Sequence, residues 1–98
     1  MKKGCKDFSE RIAKSFKGTS LEGAVIEVLT YSEDGKFTVA VDVIGCPCSA
    51  IAKSKLLSCL ESQGLSNIEI SDEDIVSSEN GIRVYSACSE SMFQQLSN

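Results

Sequence analysis

Two runs rich in β-branched and apolar residues, Ala24–Ser32 and Phe37–Ile44, flank the dipeptide Asp34-Gly35. A two-residue hairpin loop needs a positive φ at both positions, and Asp-Gly supplies it at little cost. The turn therefore fixes a register in which Glu33 faces Lys36, Leu29 faces Ala40 and Glu27 faces Asp42. Because side chains alternate along a strand, one face of the hairpin carries Ile26, Val28, Thr30, Val39, Val41 and Val43 and reads as the core side. The opposite face carries Val25, Leu29, Tyr31, Ala40 and Ile44 around the like-charged pair Glu27 and Asp42.

The remaining elements follow from periodicity. Phe8, Ile12 and Phe16 recur at helical spacing, Asp7 and Glu10 form a candidate capping box, and Gly18 is placed to end the helix. Residues 1–6 then read as a frayed basic terminus. A central helix over 47–63 shows the stripe Ala52, Leu56, Cys59 and Leu60, with Gly64 as its terminator. A strand at Asn67–Ser71 completes a β-α-β unit, for which parallel strands and a right-handed crossover are expected. The acidic run Asp72-Glu73-Asp74 reads as a loop or edge. A second hairpin pairs Ile75–Ser78 with Ile82–Cys88 about Asn80-Gly81, and Ser89 caps a last helix bearing Met92, Phe93 and Leu96. The order α-β-β-α-β-β-β-α over 1–98 describes a single α+β domain with a mixed sheet and helices mainly on one face.

Composition narrows the chemistry. The 98 residues include no His, so no catalytic triad, Cys-His dyad or His-ligated zinc can be built from this chain alone. No apolar run approaches the roughly 18 residues that span a bilayer. Residues 1–17 hold six basic and two acidic side chains, whereas the rest hold four basic and twelve acidic ones. Such a body repels a nucleic-acid backbone, so neither nucleic acid nor membrane is an expected partner. Five cysteines is an odd count, and no apolar segment follows Lys2 and Lys3, which together suggest a reducing, cytoplasmic setting.

The run Gly45-Cys46-Pro47-Cys48 stands where the second hairpin strand hands over to the central helix. Pro suits the first helical position, which would set Cys46 at the N-cap and Cys48 within the first turn. Unpaired N–H groups and the helix dipole there favour a thiolate. Both cysteines are thus candidate metal ligands, with Cys88, at another strand-to-helix junction, as a weaker third. The same residues also read simply as small apolar groups packed in a turn. About half of the chain, from about Ser20 to Ile70, resembles the metal–sulfur-cluster biosynthesis domain family. The likeness rests on the hairpin, Gly45-Cys46-Pro47, the amphipathic helix, Gly64 and the strand Asn67–Ile70. It implies an iron–sulfur assembly or carrier role in which Cys46 is the functional cysteine.

Two functional expectations stand side by side. The first is a small non-catalytic protein-binding module, an acidic adaptor or inhibitor capable of self-association into a homodimer. Its candidate binding residues are Glu27, Leu29, Tyr31 and Asp42 on the outer hairpin face, with Asp72, Glu73 and Asp74. The alternative is a carrier of an iron–sulfur cluster or zinc, held by Cys46 and Cys48. Acid–base catalysis by Glu27 and Asp42 is the poorer explanation of that pair, because general acid–base work needs a pocket around it.

Overall fold

The computed structural model describes residues 2–45, 50–71 and 81–98. Helix α1 (Lys3–Ser15) leads into the hairpin β1 (Val25–Glu33) and β2 (Lys36–Ile44). These are followed by α2 (Ala50–Ser62), β3 (Ser66–Ser71), β4 (Gly81–Ala87) and α3 (Glu90–Leu96). The class is α+β. Cys46, Cys48, the acidic run Asp72–Asp74 and the strand expected at 75–78 lie outside the described residues.

The hairpin has the register that its turn dictates. Asp34 and Gly35 adopt φ of 52° and 74°, the left-handed pair of a type I′ turn, and β1 and β2 align from Glu33↔Lys36 through to Val25↔Ile44. Beyond the hairpin, the sheet order is β1-β2-β4-β3 and all three pairings are antiparallel. The expected mixed sheet is therefore corrected. Strands β2 and β3 do run in the same direction, but β4 inserts between them and hydrogen-bonds to both. The residues explain the exchange. Ile82 and Val84 are fully buried and suit a central strand, while β3 carries a register shift between Ser66 and Glu69 and a positive φ of 50° at Asn67. A sheet with one uncovered face also favours antiparallel pairing, since parallel sheets are almost always covered on both sides.

All three helices pack on the face that presents Val28, Val39, Val41, Val43, Ile82 and Val84. Helix α1 lies against β1 and buries Phe8, Ile12 and Phe16, the stripe read from the sequence. Arg11 sits 5.3 Å from the centre of the Phe8 ring, so its charge caps the core rather than reaching the outer sheet face. Val28 is only 1% exposed, although β1 ends the sheet. Helix α2 contributes Ala52, Leu56 and Leu60, whereas Cys59 is half-buried at the margin of the core.

The start of α1 differs from the expected capping box. Asp7 lies inside the helix, which begins at Lys3, and residues 3–6 form its first turn rather than a frayed terminus. The cause is tertiary. The Gly4 N–H donates to the Asn98 carbonyl at 2.8 Å, and the Cys5 thiol donates to the Leu96 carbonyl at 3.2 Å. The first N–H groups of a helix and the last carbonyls of another are the groups that lack partners within their own helices. Here the two ends satisfy each other. At its own start, α3 is capped as expected, with Ser89 Oγ accepting from the Met92 N–H at 3.1 Å. No described helix is long and apolar enough to cross a membrane.

Candidate binding surface

The outer face of the sheet is a grid set by the cross-strand register. Reading from β1 to β2 to β4, one row holds Val25, Ile44 and Gly81, and the next holds Glu27, Asp42 and Arg83. The row after it holds Leu29, Ala40 and Tyr85, and a fourth holds Tyr31, Thr38 and Ala87. Glu69 of β3 extends the third row. No described helix covers this face. Helix α1, with its basic residues, packs on the opposite side.

Exposure on this face is concentrated in one strand. Val25 is 58% exposed, Leu29 51% and Tyr31 46%. Full burial of a large apolar side chain contributes roughly 1.5–3 kcal/mol, and each of these half-exposed groups forgoes about half of that. The three lie on one face of β1, with Glu27 between Val25 and Leu29. There, the like charges of Glu27 and Asp42 are opposed in register, as the turn required.

Arg83 resolves that repulsion, and the sequence reading did not assign it. Its Nε donates to Asp42 Oδ1 at 2.7 Å and its Nη2 to Asp42 Oδ2 at 2.8 Å, a bidentate fork. The two side chains are 24% and 13% exposed, so the pair is partly withdrawn from water. The Asp42 carboxylate, with a smaller contribution from Tyr85, holds the guanidinium pKa above its already high ordinary value. The alternation of Ile82, Val84 and Ser86 toward the core was the available signal that Arg83 and Tyr85 point outward.

Replacing Arg83 by Ala is expected to cost about 1–2 kcal/mol of stability, between the values for exposed and buried pairs. Glu27→Gln should cost less in the Arg83→Ala background than in the wild type, because it removes the repulsion that Arg83 relieves. A double-mutant cycle from urea unfolding measures this directly. Equal effects of Glu27→Gln in both backgrounds would show that the two residues are not coupled.

The described cysteines stand apart. Cys5 is buried under α3, and burial pushes its thiol pKa up. Cys88 is half-buried just beyond β4, where its N–H donates to the Phe37 carbonyl, and burial raises its thiol pKa as well. It occupies the end of β4 away from Gly81, whereas Gly45 follows Ile44, the residue paired with Gly81. Cys59 lies with its Sγ 2.7 Å from Ser15 Oγ, beside a groove of about 530 Å³ between α1 and α2. Among the described residues, no three Cys, Asp or Glu side chains gather into a metal-binding group. No protein-family model matches the chain, and neither a curated protein nor a solved structure does.

Proposed function

We propose that the protein is a non-catalytic binding module that buries the open face of its sheet against another protein. The observation that carries this reading is the half-exposure of Val25, Leu29 and Tyr31 on the one sheet face that no described helix covers. The central ion pair of Asp42 and Arg83 gives that face a polar element to fix orientation. The net charge of −4, with the excess acid beyond residue 17, suits an adaptor or inhibitor that meets a basic surface. Its association would be accelerated at low salt. The odd number of cysteines fits a reducing compartment such as the cytoplasm.

A photoreactive amino acid placed at position 29 in cells should cross-link to protein far more than one placed at the exposed Lys14 on the helical side. With the captured protein purified, the change of Leu29 and Tyr31 to Ser should weaken binding at least about tenfold. Equal cross-linking at the two positions removes the reading.

A second reading concerns Cys46 and Cys48. It is supported by the placement of Gly45-Cys46-Pro47-Cys48 between the end of β2, where Gly45 has a φ of 87°, and a helix formed by Ala50. On this reading the two cysteines carry an iron–sulfur cluster or zinc. Iron and zinc analysis of protein purified without oxygen, beside the Cys46→Ser variant, decides it. Metal that is absent, or that is unchanged by Cys46→Ser, excludes it.

A further inference from the structure

We propose that the chain seated on the open sheet face is a second copy of this protein, related by a two-fold axis running along β2. The inference rests on the binding-module reading and specifies its partner. A two-fold parallel to the strands and centred on β2 lays β1 of one copy over β4 of the other. The cross-strand rows then dictate what meets what. Glu27, which has no cation within its own row nearer than Arg83 on the far side of Asp42, faces the partner's Arg83. Leu29 faces the partner's Tyr85. Tyr31 faces the partner's Ala87, and Val25 falls in the row of the partner's Gly81.

Charge and size are complementary where β1 of one copy meets β4 of the other at the charged row and the two rows beyond it. The exposed Tyr31 of one strand meets the small Ala87 of the other. Glu27, beside which no cation stands among the described residues, meets the guanidinium, which has donors beyond those committed to Asp42. Other two-folds fare worse. An axis across the strands through the charged row sets Glu27 against the partner's Glu27. An axis between β2 and β4 sets Leu29 against the partner's Glu69. Like charges or a carboxylate pressed on an aliphatic group would oppose both. In the favoured arrangement Asp42 lies over its own copy, but each carboxylate is already held by a bidentate Arg83. Two sheets stacked with nearly aligned strands are a standard packing, with facing side chains interdigitating about 10 Å apart.

Sedimentation of the full chain should show a species of twice the 10.5 kDa chain mass at micromolar concentration. Glu27→Arg, which faces the partner's Arg83, should weaken self-association at least about tenfold. A mixture of Leu29→Cys and Tyr85→Cys chains, treated with a bifunctional thiol reagent that spans about 10 Å, should yield a cross-link between position 29 of one copy and position 85 of the other. Neither chain carries both substitutions, so a 29-to-85 cross-link joins two copies.

A wild-type chain that stays monomeric, a dimer indifferent to Glu27→Arg, or failure of the 29-to-85 cross-link overturns the proposal. If the chain is monomeric while position 29 cross-links to a different protein, the binding-module reading stands and the second copy falls. If position 29 captures nothing, both fall.

Discussion

Phe8→Ala should lower the free energy of unfolding by about 3–5 kcal/mol, the range for deleting a fully buried aromatic ring. Phe8 is 0% exposed at the heart of the stripe that fastens α1 to the sheet, and Ile12 and Phe16 complete that stripe. Domains of this size typically have only about 5–15 kcal/mol of stability in total. One substitution therefore removes a large part of it. Urea unfolding followed by circular dichroism should show a lower midpoint with an unchanged slope, since the folded architecture persists. A loss below about 1 kcal/mol would mean that α1 is not docked as described.

Gly4→Ala should destabilise by about 1–3 kcal/mol, the cost of forcing extra volume into a packed site. The sign is the informative part. Within an ordinary helix this substitution stabilises, because Ala has a higher helix propensity than Gly by about 1 kcal/mol. At position 4, however, a methyl group would collide with the carbonyl oxygen of Gln95 and lie 2.9 Å from Leu96 Cα. Backbone cannot yield as a flexible side chain does. Helices α1 and α3 must separate, which also breaks the Gly4-to-Asn98 and Cys5-to-Leu96 hydrogen bonds. Thermal unfolding of Gly4→Ala beside Gly18→Ala gives a control, since Gly18 has open space around it and a positive φ instead. A Gly4→Ala protein as stable as the wild type would refute the close approach.

Local rules reached some of these features and could not reach others. The hairpin was legible to the residue, because two turn residues determine the register of both strands, and that register alone placed Glu27 opposite Asp42. The buried stripe of α1 was legible from spacing. Its first turn was not, because Lys3–Lys6 are held by carbonyls more than 90 positions away, and Asp7 with Glu10 imitates a helix start. Arg83 was missed for a similar reason. Its match to Asp42 spans 41 positions and depends on β4 entering between β2 and β3, a choice that no short motif records. The basic partner of Asp42 comes from within the chain. The charged row is thus a product of topology, while the exposed apolar side chains beside it are a product of alternation.

The two margins of the sheet have a further consequence. On one side α1 packs against β1 and leaves Val28, backbone included, with 1% of its surface in water. On the other, β3 is short and interrupted by an irregular register and a left-handed Asn67. Neither margin offers a long run of free backbone donors and acceptors to template another strand. Sticky side chains on a flat β surface are ordinarily an invitation to fibre growth. A stack related by a two-fold, as proposed above, would close after one addition.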